Sequence, residues 1–282
     1  MSISKRRVLI VGANSYIGNS FREYAKERLC IDVVDSYEEW KTVSFDGYDS
    51  VLMVAGIAHQ KQTAANKDLY FAVNCDLAVA VAKKAKASGV GQFVYLSSMA
   101  VYGLLEGEIT EDALPSPRDG DFYGQSKYRA ENELMALFGV DGLCIIRPPM
   151  VYGPDCPGKF STLIKVAKVM PFIPKIDNKR SMIYKDNLSE LLCIVVERDV
   201  SGVLKPHNNE YMNTSQLLAM VSEAMGRRVP IVSGFGWLIR LVMKFSPTIK
   251  TAFGSLYYTK LAAEMPFSYD YQATLEAEPV II

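Results

Sequence analysis

Tyr123 and Lys127 stand four positions apart, so on a helix both side chains project from one face. A phenol with an ordinary pKa near 10 is a poor base at neutral pH. A neighbouring ammonium stabilises the phenolate and lowers that pKa, and such a pair can relay a proton to or from a substrate hydroxyl. Spacing alone is weak support, because Tyr37 and Lys41 repeat it. Context separates the two pairs. Tyr123 follows a strand-length apolar run, Phe93–Ser97, that ends in Ser97 and Ser98, and hydroxyls at the C-terminal end of a parallel strand sit where an α/β sheet opens its ligand crevice. Tyr37 has no such strand before it and reads as a surface residue. Ser98 reads as a catalytic hydroxyl, with a strand-end cap as the alternative.

The second cluster lies at the other end of the same half. The apolar run Val8–Val11 leads into Gly12-Ala13-Asn14-Ser15-Tyr16-Ile17-Gly18, and a helical pattern follows. A helix N-terminus presents unpaired N–H groups and partial positive charge, and glycine lets a pyrophosphate approach the backbone. That makes Gly12, Asn14, Ser15, Tyr16, Ile17 and Gly18 candidate dinucleotide contacts. The usual fingerprint wants glycine where Ser15 stands; Ser15 can still offer its N–H if its φ is negative. An acid after the second strand would bind the adenosine ribose and select NAD over NADP. Asp35 is the candidate and Asp32 its rival, with a solvated turn aspartate as the plain alternative. The cofactor expected is NAD, with NADP left open.

Composition removes several classes. Lys and Arg number 31 and balance 31 Asp and Glu, so no global field attracts nucleic acid or an anionic membrane. The chain is 49% hydrophobic and 22% charged, as globular domains are. The run Val8–Val11 stops too early for a signal peptide, and no stretch reaches the roughly 20 apolar residues that would span a bilayer. Trp237–Phe245 is amphipathic, interrupted by Arg240 and Lys244. It is expected to cover the core, an interfacial membrane helix being the alternative; stable membrane insertion is not expected. Five scattered cysteines without a Cys-x-x-Cys fit reduced thiols in a cytoplasmic protein. His59 and His207 are too few for a zinc site, so no metal is expected. His59 is expected to pack near the mouth of the cofactor or substrate site.

Apolar runs of strand length alternate with amphipathic helical stretches through the first two thirds: strands at 8–11, 31–34, 50–55, 93–97 and 143–147, helices at 16–29, 69–88 and 123–137. This predicts a parallel sheet with helices on both faces. One strand–helix unit is compressed between Leu29 and Ser50. Prolines and glycines cluster from Pro148 to Gly158, after which helices are expected near 163–170, 188–197 and 215–225. The fold class expected is therefore α/β, a Rossmann-type doubly wound sheet over residues 1–150. A smaller mixed α/β substrate region spans 151–282, with the option of a crossing back to the sheet.

Seven ordered segments carry a resemblance: Val-Gly-Ala-Asn-Ser-Tyr-Ile-Gly (11–18), Val-Ala-Gly-Ile-Ala-His (54–59), Val-Asn-Cys-Asp (73–76), Leu-Ser-Ser-Met-Ala-Val-Tyr-Gly (96–103), Tyr-Gly-Gln-Ser-Lys (123–127), Arg-Pro-Pro-Met-Val-Tyr-Gly-Pro (147–154) and Arg-Ser-Met-Ile-Tyr-Lys-Asp-Asn (180–187). Together they resemble the NAD-dependent epimerase/dehydratase family of extended short-chain dehydrogenases/reductases. The resemblance implies that Ser98 binds the sugar oxygen, Tyr123 is the acid/base and Lys127 touches the nicotinamide ribose. It implies that Asn74 orders the loop beside the cofactor, that Ala55, Gly56 and Ser97 lie along it, and that Pro148 borders the nicotinamide. Arg180 matches an arginine gripping the substrate diphosphate. Met150 stands where many members have asparagine, and Lys159 where a substrate-facing asparagine is common. The resemblance also allows a homodimer.

Dehydratases of the family carry an Asp-Glu pair after the catalytic hydroxyl. Here Met99 and Ala100 stand there and cannot move a proton. The expectation is an NAD-dependent nucleotide-sugar epimerase, acting on C4 of a UDP-sugar by transient hydride transfer, in surface polysaccharide biosynthesis. An NAD(P)H-dependent 4-ketoreductase is the alternative, followed by a dinucleotide-binding protein without turnover.

Overall fold

The computed structural model describes residues 5–259 other than positions 59, 140 and 235; the expectation for His59 lies outside the described residues. The chain begins β1 (Arg7–Val11), α1 (Tyr16–Ala25), β2 (Cys30–Val34), α2 (Glu39–Thr42), β3 (Ser50–Met53), α3 (Lys67–Phe71), α4 (Leu77–Ala87) and β4 (Gln92–Leu96). It continues with β5 (Gly107–Ile109), α5 (Phe122–Phe138), β6 (Leu143–Ile146), β7 (Met150–Tyr152), α6 (Lys159–Val169), β8 (Ile173–Pro174) and β9 (Met182–Tyr184). The remainder is α7 (Lys185–Glu197), β10 (Gly202–Leu204), α8 (Thr214–Ala224), β11 (Ile231–Val232), α9 (Gly236–Phe245), α10 (Pro247–Phe253) and β12 (Leu256–Tyr258).

Six parallel strands form one sheet in the order β10-β6-β4-β3-β1-β2. The central strands are apolar without alternation, and Val8–Val11 and Val51–Met53 are fully buried, as strands covered on both faces must be. Register aligns their ends: Val11 pairs Met53, Met53 pairs Tyr95, and Tyr95 pairs Ile145. The residues that follow, from Gly12, Val54, Ser97 and Arg147, therefore leave along one edge. Strand order reverses between β1 and β3, and such a switch point opens a crevice at the carboxyl ends. The compressed segment 29–50 explains the short side of the sheet: α2 has four residues, and β2 is the edge strand.

Two compact units result. The first holds the chain up to Gly103, Pro115–Pro148 and Lys185–Pro206; the second holds Leu104–Leu114, Pro149–Tyr184 and the chain from His207. Lys185–Pro206 is the crossing back that the sequence left open, and Leu104–Leu114 goes to the second unit. Segment 185–206 returns to the sheet because α7 packs on α1, with Arg28 paired to Glu190 and Glu197. It ends in β10, which pairs with β6. The helix expected at 69–88 contains a π turn over Ala72–Asp76, and such a bulge re-aims the side chains it carries. The second unit is built on three short parallel pairs, β8–β11, β5–β12 and β7–β9, with Tyr152, Phe160 and Tyr184 in ring contact. Among the described residues no helix is long and apolar enough to cross a membrane.

Candidate active site

Helix α5 carries the chemistry on its first turns. Asp121 caps it, its Oδ1 accepting from the Gly124 amide at 3.2 Å. Gln62 braces the same turn: its amide donates to Asp121 at 3.0 Å, and its Oε1 accepts from the Tyr123 amide at 3.3 Å. A Cβ on Gly124 would lie 2.8 Å from the Ala100 carbonyl oxygen, so the glycine lets α5 approach the turn that follows Ser98. The Ser98 hydroxyl accepts from the Ala100 amide at 3.1 Å and lies near enough to the Tyr123 phenol to lower its pKa. Cap and partner are therefore the same group. Burial raises the Tyr123 pKa above its ordinary value; Ser98 pulls it back, while Asp121 and Tyr70 raise it further. Tyr37, with the identical spacing to lysine, is 76% exposed.

Lys127 is buried one turn on, donating to the Leu96 carbonyl at 2.8 Å with its Nζ 4.7 Å from the Tyr95 ring centre. Burial pulls its pKa down to about 7, and the Glu131 carboxylate opposes that fall. A Cβ on Gly56 would lie 3.0 Å from Asn74 Oδ1 and 3.3 Å from Lys127 Nζ, so the backbone here runs bare against the lysine. Asn74, fully buried in the π turn, holds that backbone. Its Oδ1 accepts from Ile57 N at 2.8 Å, and its Nδ2 donates to Ile57 O and to Ser126 Oγ. Tyr95 Oη donates to the Asn74 carbonyl at 2.8 Å.

Behind Lys127 lies a network that the motif reading passed over. Glu131, fully buried, accepts from Arg147 Nε and Nη2 at 3.0 and 2.7 Å, and Arg147 Nη1 donates to Tyr102 Oη at 2.7 Å. Ser97 also donates to Glu131. The hydroxyl of Ser97, expected along the cofactor, is thus committed to the core, because its strand position turns it toward α5. The signal was present: Glu131 continues the four-residue spacing of Tyr123 and Lys127, and Arg147 opens a quoted segment. In the sequence alone an acid at that spacing looks the same whether its helix face is buried or solvated.

The glycine loop packs bare backbone against the exit of the strand beside it. Gly12 has φ +130°, and a Cβ there would lie 2.8 Å from Ala55 N; at Gly18 it would lie 2.9 Å from Val54 Cγ2. The backbone of β1's exit is therefore bare beside the Val54–Gly56 stretch. Ser15 caps α1, its Oγ accepting from Gly18 N at 3.2 Å. Its φ is −74°, yet its N–H is spent on Gly12 O at 3.0 Å, so the donor expected from Ser15 closes the turn instead. Asn14 is exposed, and Tyr16 and Ile17 are half-buried at the helix start. Asp35 follows β2 directly, and its Oδ1 accepts from the amides of Tyr37, Glu38 and Glu39, which lowers its pKa. Asp32 is engaged elsewhere, accepting from Tyr48 Oη at 2.7 Å.

Pro148 is buried, and its carbonyl accepts from the Met99 amide at 2.9 Å. In the second unit Met150 is half-buried on β7, and Lys159 is exposed at the start of α6. Arg180 is 6% exposed and donates to the Gly254 carbonyl at 2.9 Å. Burial pulls its pKa down to about 10, and among the described residues no carboxylate pairs with it. No group of three or more His, Cys, Asp or Glu among the described residues could hold a metal.

The model of the NAD dependent epimerase/dehydratase family matches residues 5–208. The chain belongs to this family. The chain is similar to the UDP-glucose 4-epimerase of Vibrio cholerae, 33% identical over 172 residues, which are 56% of this chain and 51% of that protein. Another relative is the N-acetyl-alpha-D-glucosaminyl-diphospho-ditrans,octacis-undecaprenol 4-epimerase of Escherichia coli O157:H7, 26% identical over 79% of this chain and 73% of that protein. The chain thus spans only about half of the first relative's length. Among solved structures, the UDP-glucuronic acid 4-epimerase of Bacillus cereus in complex with NAD superposes with a TM-score of 0.73 at 17% identity, covering 98% of each chain.

Proposed function

We infer that the protein is a nucleotide-sugar 4-epimerase, most simply of a UDP-sugar, working in the cytoplasm toward surface polysaccharide. The observation that carries this reading is the Tyr123 phenol beside Ser98, with Lys127 buried one turn on, next to Met99 and Ala100, which have no proton to move. Two sequence relatives are named for 4-epimerisation of a sugar on a diphosphate, one on uridine and one on undecaprenol. Bound NAD would supply a reversible hydride acceptor, held by the Gly12–Gly18 turn, the Ala55–Gly56 backbone, Asp35 and Lys127. Tyr123 Oη takes the proton of the sugar hydroxyl and returns it; Ser98 holds that oxygen, and the Lys127 ammonium keeps the phenolate accessible. Arg180 suits the diphosphate, since a buried guanidinium without a carboxylate gains most from an anion.

Purified protein incubated with UDP-Glc, UDP-GlcNAc and their 4-epimers, without added cofactor, is expected to interconvert one pair. Oxidation of NAD(P)H that requires a keto sugar, with no interconversion, would replace this reading by a ketoreductase. Tyr123→Phe is expected to lower kcat by about 10²–10⁴-fold with an unchanged melting temperature. Retained turnover in that variant removes catalysis by Tyr123. Arg180→Leu is expected to raise KM for the sugar diphosphate by roughly tenfold or more.

A further inference from the structure

Helix α9 (Gly236–Phe245) presents its apolar side outward. Trp237, Leu241, Val242 and Phe245 are 69%, 44%, 39% and 81% exposed; at 100° per residue they span one continuous arc of the helix. Ile239 and Met243 are the half-buried side chains on the opposite face. Arg240 and Lys244, both exposed, flank the apolar arc along one edge, and among the described residues neither meets a carboxylate. The helix was expected to cover the core; the structure instead leaves its largest side chains in water.

The sequence around it is one-sided in charge, with Lys250 alone of its cations paired to a carboxylate among the described residues, that of Glu106. Between Ala224 and Ala263 the sequence has no Asp or Glu but holds Arg227, Arg228, Arg240, Lys244, Lys250 and Lys260, in a chain whose acids and bases balance only as a whole. An exposed Trp and Phe on an apolar arc, edged by basic residues whose stems can reach up to headgroups, is the composition of a helix lying in a lipid interface. Juxtaposed anionic lipid adds attraction for each nearby Lys or Arg. An antiparallel two-fold contact between two copies of this face would set the Arg240 and Lys244 edges against each other, like charge on like. We propose that α9 docks the protein peripherally onto an anionic phospholipid surface, its Trp237–Phe245 arc buried among the acyl chains and Arg240 and Lys244 among the headgroups. This does not depend on which reaction the first unit performs.

The test uses the full chain with vesicles of phosphatidylcholine alone or with roughly 30% phosphatidylglycerol, read by flotation. It also reads Trp237 fluorescence in a Trp40→Phe background, which leaves Trp237 as the sole tryptophan. Expected are flotation with the anionic vesicles, a blue shift of Trp237, and release as salt rises from about 0.1 to about 0.5 M. Trp237→Glu with Phe245→Glu is expected to lower the bound fraction at least tenfold while melting temperature and turnover of a soluble substrate stay unchanged. Flotation with neither vesicle overturns the proposal, as does binding that survives the double substitution. So does a dimer, seen by sedimentation without lipid, that the double substitution dissociates, since the face is then a protein interface.

Discussion

On α5 a buried cation and a buried carboxylate occupy successive turns, and the carboxylate supports the charge of the cation. Glu131 raises the Lys127 pKa that burial has lowered to about 7. Glu131→Gln keeps one acceptor oxygen, enough for Ser97 and Arg147 Nε, gives up the bond from Arg147 Nη2, and removes that support. The ammonium is then lost at lower pH, and the alkaline limb of the kcat/KM profile is expected to move down by about 0.5–1 pH unit; an unmoved limb would show Glu131 to be purely structural. Stability carries a second signature. The folded pKa of Lys127 lies below the ordinary 10.5, so between about 7 and 10.5 the unfolded chain binds the extra proton and stability from this position rises with pH. Lys127→Met removes the burden of the buried charge. It is expected to raise unfolding free energy by roughly 1–3 kcal/mol at pH 6, a gain that shrinks toward pH 10 in urea titrations, while turnover is lost. Both residues stood in the sequence at readable spacing, but only burial turned a helix-face acid into Lys127's electrostatic partner.

At the scale of elements, glycines set how closely β1, β3 and α5 converge. Gly12→Ala would place a Cβ 2.8 Å from backbone Ala55 N at φ +130°, where neither atom can yield. The expected cost is about 2–4 kcal/mol, with loss of dinucleotide binding, measured by chemical denaturation and calorimetry. Gly56→Ala meets side chains instead, Asn74 Oδ1 and Lys127 Nζ. Its expected result is a stability loss under about 1 kcal/mol and a fall in kcat/KM of roughly 10–100-fold, because the lysine shifts from its seat on Leu96 O. Periodicity located the central strands and α5 within a residue or two. It passed over the π turn that seats Asn74, since an inserted residue leaves the apolar pattern intact.

At the scale of the molecule, the candidate cofactor and catalytic residues all fall in the first compact unit, and Met150, Lys159 and Arg180 fall in the second. Addition of NAD alone is therefore expected to slow amide exchange in peptides covering 12–18, 54–57 and 123–127, with little change in 150–184. A UDP-sugar added afterwards is expected to protect the segment around Arg180. Protection spread evenly over both units by NAD alone would argue against this partition of roles.

Local chemistry written into short segments was decided by the sequence itself: the bare turn at Gly12, the Tyr123 and Lys127 spacing, the missing acids at Met99 and Ala100, and the alternation that builds a parallel sheet. These depend on neighbours within a turn or on runs of one polarity. Tertiary structure decided whatever depends on residues distant in the chain. It closed the Ser15 amide into a turn, drew Ser97 away to Glu131 and Arg147, and returned β10 to the sheet beside β6. It also left the apolar side of α9 facing solvent, because burial follows from which surfaces meet, and a helical pattern alone does not name its partner.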